Sequence, residues 1–206
     1  MTKRVELIFD FVSPNAYLIW WPLRELVQRT GAELDVTPVF LGGMHKLTGN
    51  APPMIRNKDV KGKVEYDALE MRRFIAKHGL TKFKLHPKFP FNSISLQRLL
   101  VAAEQDGRSV QFAEAMLPKV WEEGVDITDP ETLAATVAEI GFDAADMMAR
   151  IQTDDVKQVV ARNTDHAVER GAFGIPTMFV GEKDGPQEMF FGKERLAQIE
   201  EELVSG

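Results

Sequence analysis

Apolar positions along the chain follow three successive patterns. Residues 5–12 (VELIFDFV) carry β-branched and aromatic side chains on both parities, which predicts a strand buried on both faces. Ser13-Pro14 then opens a helix over 14–30, closed by Gly31, with Ala16, Ile19, Trp20, Leu23, Leu26 and Val27 along one apolar face. Pro22 lies inside that helix and predicts a kink, because it cannot donate to the carbonyl four residues back. Residues 34–40 (LDVTPVF) predict a second strand, and one helix between two short strands favours parallel pairing. From 42 to about 58 the chain is rich in Gly, Asn and Pro and reads as a loop.

The period then becomes helical. Helices are expected near 59–78, 93–106, 108–123, 130–140, 143–152 and 154–170, with Asp129-Pro130 as a cap-then-proline start. Gly79, Gly107, Gly124, Gly141 and Gly171 sit where these helices end. Strand patterning returns at 177–180 (TMFV) and 188–191 (EMFF), joined by a turn at Asp184-Gly185-Pro186 and followed by a helix over 193–204. Strands at both chain ends form one sheet only if they meet in space. The expected fold is therefore α/β, in the order β–α–β, helical insertion, β–β–α. Residues 1–41 and 172–206 would form one domain, and 42–171 an all-helical insertion domain carrying a substrate-side loop.

Composition narrows the chemistry. The 206 residues are 44% hydrophobic and 27% charged, enough for a substantial core. There is no cysteine, which excludes disulfides, thiolate metal ligands and any thiol chemistry carried by the protein itself. A net charge of −6 disfavours nucleic acid and anionic membranes as partners. The N-terminal apolar stretch is short, interrupted by Glu6 and Asp10, and does not read as a signal peptide. No run approaches the roughly 18 apolar residues of a membrane span, so a cytoplasmic protein is expected. The four histidines show no ligand spacing, which predicts no metal site, and no phosphate-binding glycine motif occurs.

Three elements carry candidate chemistry. Ser13 stands where a buried strand gives way to a helix, and by itself it reads as a plain N-cap. Backbone N–H groups and the helix dipole also converge there and would stabilise an anion such as a thiolate, which here must come from a ligand. Gly174-Ile175-Pro176-Thr177 precedes a strand and reads as an ordinary turn; a cis bond before Pro176 would instead leave the Ile175 backbone free to pair with an extended peptide. Asn50-Ala51-Pro52-Pro53 leads into Arg56, Lys58, Lys61 and Lys63, either a solvated surface or a site for carboxylates. In a fourth stretch, 86–93, Asn92 reads as a helix cap, and Phe91 as a hydrophobic staple or as an aromatic wall for a flat substrate.

FDFVSPNAY (9–17), GAFGIPTMFV (171–180) and FFGKERL (190–196), in that order and spacing, resemble the DsbA-like thioredoxin superfamily. More narrowly they resemble the 2-hydroxychromene-2-carboxylate isomerases and kappa-class glutathione transferases. The resemblance implies a thioredoxin-like fold with Ser13 and Ala16 in the places of a redox Cys-x-x-Cys pair. It implies that glutathione is the cofactor and that the Ser13 hydroxyl bonds its sulfur and favours the thiolate. Ile175, before Pro176, would pair through its backbone with the cysteinyl part, and Phe191-Gly192-Lys193-Glu194 would receive the γ-glutamyl end. Glu194 stands where aspartate is commoner, and Lys193 replaces a small polar residue. Asn50 and Lys63 match the family's glutathione-side loop and following helix. Asn57-Lys58-Asp59 matches an Asn-Arg-Asp that contacts substrate in the isomerase, with Lys46, or its neighbour His45, also on the substrate side and Phe91 as a wall.

The activity so implied is glutathione-dependent isomerisation of a small aromatic or conjugated carboxylate by reversible thiolate addition, in a homodimer. A kappa-like transferase and a redox-inactive thioredoxin-fold binding protein are the alternatives. Net consumption of glutathione marks the first, and absence of glutathione binding marks the second.

Overall fold

The computed structural model describes residues 3–183 and 185–205. β1 (Lys3–Phe9), α1 (Pro14–Thr30) and β2 (Glu33–Pro38) open the chain, and β3 (Thr177–Glu182), β4 (Gln187–Phe191) and α10 (Leu196–Val204) close it. Between β2 and β3 lie α2 (Leu41–Thr48), α3 (Pro53–Arg56), α4 (Lys63–Lys77), α5 (Ile94–Gln105), α6 (Ser109–Pro118), α7 (Pro130–Glu139), α8 (Ala144–Arg150) and α9 (Asp154–Glu169). The four strands form one sheet in the order β2-β1-β3-β4. β1 runs parallel to β2, with Leu7 opposite Val36, and antiparallel to β3, with Leu7 opposite Met178. The two chain ends therefore meet in one sheet, as the strand patterns at both ends require.

β1 buries Val5 through Phe9 consecutively, as a central strand covered on both faces does. α1 and α10 pack against each other and the sheet; α5, α6 and α9 pack onto β2. One apolar core runs through both sets. Phe9 and Phe11 meet edge to face at 4.8 Å, Phe11 reaches Phe112 of α6 at 6.1 Å, and the buried Trp121 indole donates to the Phe11 carbonyl at 3.0 Å. Such aromatic side chains each contribute on the order of 2–3 kcal/mol by leaving water.

Several elements differ from their sequence patterns. The expected loop over 42–58 contains α2 and α3. Gly42 and Gly43 look like helix breakers, but a Cβ on them would stand 3.0 and 3.4 Å from the Phe40 ring. They are space-makers for that ring, and Met44 buries the helix's inner face. α4 starts at Lys63, four residues later than the expected 59, after Gly62 at φ 81°. The helix expected over 108–123 changes at Pro118 into a π-helical turn, Lys119–Glu123, that seats Trp121 in the core. α1 continues through Pro22. β1 ends at Phe9 rather than 12, and β2 at Pro38 rather than 40; Val39 N–H still reaches the Phe9 carbonyl at 3.0 Å. Asn92 lies just before the Ser93 cap position and accepts from Ile94 N–H at 3.0 Å. The closing helix begins with a 3-10 turn, Lys193–Arg195. Asp129 caps α7 as expected, accepting from Thr132 N–H at 2.8 Å. The turn expected at Asp184-Gly185-Pro186 includes Asp184, which lies outside the described residues.

Candidate functional site

The turn between β1 and α1 is held by three buried groups. Asp10 accepts from Val12 N–H at 3.0 Å and, across to the start of α2, from Leu41 N–H at 2.8 Å. Its own carbonyl accepts from Ser13 N–H at 3.1 Å. Complete burial pushes the Asp10 carboxyl up to about 6, only partly offset by its backbone donors at Leu41 and Val12. Gln97 of α5, fully buried, donates to the carbonyls of Phe9 (2.7 Å) and Val39 (2.8 Å) and accepts from Phe11 N–H at 3.3 Å. The turn that presents Ser13 is thus clamped to both parallel strands and to the insertion.

Ser13 occupies the N-cap position but its side chain caps nothing, contrary to the simple reading of Ser-Pro as a hydroxyl cap. Its hydroxyl instead donates to the Ile175 carbonyl at 3.4 Å, a long bond that is readily exchanged for a better acceptor. The Ile175–Pro176 bond is cis. Among the described residues, neither the Ile175 N–H nor the Asn15 N–H in the first turn of α1 has a partner. The Asn15 side-chain oxygen is also buried without one. The Ser13 hydroxyl and an unpaired first-turn N–H thus stand at the N-terminus of α1, against Ile175, an arrangement that suits an anion. Tyr17, one turn further on, is committed elsewhere: it donates to Glu122 at 2.8 Å, and burial followed by that carboxylate pushes its pKa up.

The loop after β4 joins this point directly. Gly192 N–H donates to the Pro176 carbonyl at 3.0 Å. Lys193 is buried, paired with Glu194, and lies 5.3 Å over the Phe74 ring of α4. Phe191 packs against Phe173 with the rings tilted by 48° and their centres 4.5 Å apart. The insertion reaches the same place through Asn50, whose amide donates to the Phe173 carbonyl at 2.7 Å, one residue before Gly174.

The remaining expected residues divide. Lys63 and Asn57 both point to Asp67, at 2.8 Å each, and these bonds hold the Asp67 carboxyl below its usual range despite some desolvation. Lys46 and Lys58 are exposed, and among the described residues neither has an acidic partner within ion-pair range. His45 is half-buried, and burial followed by the charge of Arg56 lowers its pKa. Phe91 is buried between His86 and Trp121, at 4.8 and 5.9 Å, so it backs the core rather than lining an open wall.

Asp10, Gln97 and Asp67 are the framework residues that the sequence patterns did not single out. Only Asp67 left a signal, four residues after Lys63 on the same helix face. A separate groove of about 550 Å³ lies between α1, β2 and α6, lined by Trp21, Arg24, Leu34 and Glu114, and holds none of the expected residues. Among the described residues no cluster could hold a metal, and no helix is long and apolar enough to cross a membrane.

The family model of the DSBA-like thioredoxin domain matches residues 4–204. The chain belongs to this family. Its thioredoxin-like fold follows, and so does the narrower likeness read from the three motifs. The chain is 30% identical over 200 residues to a 2-hydroxychromene-2-carboxylate isomerase of Pseudomonas putida, covering 95% of this chain and 92% of that one. It is 28% identical over 204 residues to human glutathione S-transferase kappa 1, covering 95% and 88%. A solved structure of a 2-hydroxychromene-2-carboxylate isomerase superposes with a TM-score of 0.78 at 26% identity, covering 96% of this DSBA-like chain and 92% of that one.

Proposed function

We propose that this DSBA-like protein is a glutathione-dependent isomerase of the 2-hydroxychromene-2-carboxylate isomerase type. The observation that carries this reading is the Ser13 hydroxyl at the start of α1, held against Ile175 in a chain without cysteine. The unpaired N–H groups of Asn15 and Ile175 fit an anionic sulfur and the peptide carbonyl beside it.

Glutathione, when bound, supplies a thiolate that adds reversibly to a conjugated carboxylate, so that its double bond rotates as a single one. The chain's own residues do the rest. Ser13 turns its hydroxyl from the long Ile175 bond to the sulfur and keeps it ionised, with the N-terminus of α1 adding its partial positive charge. Ser13 is thus a stabiliser of the sulfur, not the nucleophile. The Ile175 backbone orients the cysteinyl part, and Pro176 fixes that backbone's direction. Phe191, Gly192, Lys193 and Glu194 take the γ-glutamyl end, where the Lys193–Glu194 pair offers both charges to an amino acid head group. Asn50 and Lys63 lie on the glycyl side. Lys46, Asn57 and Lys58 face the substrate, while Phe91 contributes only through the core beneath the site. On this reading the protein works as a cytoplasmic homodimer.

The test is the ultraviolet absorbance change of 2-hydroxychromene-2-carboxylate isomerisation, with and without catalytic glutathione, in native protein and Ser13→Ala. Turnover that needs glutathione without consuming it, and that falls about 10²-fold or more in the variant, is expected. Stoichiometric consumption would transfer the reading to a kappa-like transferase. No binding of glutathione by calorimetry would leave a redox-inactive binding protein.

A further inference from the structure

We propose that Arg56 is a carboxylate-binding residue of this site, an inference that rests on the glutathione-dependent reading for its place but not for its chemistry. Arg56 ends α3, and its guanidinium donates to the Asn50 side-chain oxygen at 2.9 Å. Asn50 in turn donates to the Phe173 carbonyl at 2.7 Å, immediately before Gly174-Ile175-Pro176. Two hydrogen bonds therefore tie the guanidinium to the segment that carries the backbone partner of Ser13.

The neighbours with comparable chemistry are already engaged. The Asn50 oxygen accepts from both Arg56 and Ala51 N–H, the latter at 2.8 Å, and its amide, already donating to Phe173, has one N–H left. Lys63 and Asn57 are both held by Asp67. Arg56 keeps four of its five donors, is exposed, and has no carboxylate within ion-pair range among the described residues. Arg4, Arg24, Arg29, Arg73, Arg150 and Arg170 each meet a carboxylate, and among the arginines without one Arg56 is the one whose guanidinium is tied to Asn50 and so to the segment before Ile175. An arginine oriented by one neutral amide and otherwise unspent presents the planar fork that matches a carboxylate with two parallel bonds. Its charge reaches both His45, whose pKa burial and then Arg56 lower, and the Asp67 carboxyl, which it helps to hold down without pairing with it.

The carboxylate has two sources, the glycyl end of glutathione and the acid of the substrate, and a titration separates them. Native protein, Arg56→Gln and Arg56→Lys are titrated calorimetrically with glutathione and, separately, with salicylate as an aromatic carboxylate probe. Arg56→Gln should weaken one of the two about tenfold or more, with Arg56→Lys between native and Gln. Loss in the glutathione arm assigns Arg56 to the glycyl end, and loss in the salicylate arm assigns it to the substrate acid. Affinities of native and Arg56→Gln within twofold of each other for every ligand that binds would overturn the assignment while leaving glutathione dependence standing. Salicylate binding that needs Arg56 in a protein that ignores glutathione would do the reverse. Binding of neither ligand by native protein would remove both.

Discussion

The two sides of the candidate site are built differently. On the sheet side, Ser13, Ile175 and Pro176 are presented by a backbone that buried groups hold in place, with Gln97 and Asp10 satisfying polar atoms that water cannot reach. On the insertion side, residues 45–67 are largely exposed, and their arrangement comes from side chain to side chain: Arg56 to Asn50, and Lys63 and Asn57 to Asp67. A buried polar atom that loses its partner keeps its full desolvation cost, whereas an exposed one exchanges its partner for water. The sheet side is therefore fixed and suits a reacting centre. The insertion side can be retuned and suits a choice of ligand.

That contrast breaks most visibly at Gln97. Gln97→Ala leaves the Val39 carbonyl and the Phe11 N–H unpaired and takes one of two donors from the Phe9 carbonyl, and should cost about 3–5 kcal/mol in guanidinium unfolding. A loss below about 1 kcal/mol would show that the turn does not depend on α5.

Asp10 gives a smaller effect with a pH signature. Its folded pKa, about 6, lies above the ordinary 3.8, so the folded state holds a proton that the unfolded chain has released. Its contribution to stability is thus full below about pH 4 and declines as pH rises through 6, by roughly 3 kcal/mol for a shift of about two units. Asp10→Asn cannot titrate. The stability of native protein relative to this variant should therefore narrow from pH 4 to pH 7; groups such as Asp126, held down at about 2, are common to both and cancel. A constant difference would sink the assignment.

Asp67→Asn tests the other side. Its partners are partly exposed, so stability should move by no more than about 1 kcal/mol, while freeing Lys63 and Asn57 should shift KM severalfold with kcat nearly unchanged. A large stability loss would place Asp67 with the fixed side.

Legibility in the sequence follows the same division. β1, α1 and the helix-ending glycines were readable because local chemistry decides them: a run of buried side chains, Ser-Pro, or a residue at positive φ such as Gly31 at 69°. That Ser13 and Ile175 serve one site follows from the resemblance carried by three motifs in order, not from periodicity, and their direct contact is visible only in the fold. α2 was missed because Gly42 and Gly43 signal a loop locally, and only the Phe40 ring explains them. Gln97 looks like a surface residue within an apolar helix, since nothing nearby in sequence announces the two strand ends it serves. Asn50 and Arg56 were visible as a polar, basic stretch, but their order depends on Phe173, more than a hundred residues later.

The indole bond from Trp121 to the Phe11 carbonyl has a consequence for how the molecule comes apart. It places a side chain of the insertion inside the first strand's turn, in a core shared without interruption. Loosening of the insertion is accordingly expected to loosen the turn that presents Ser13, so that the two should lose their packing together.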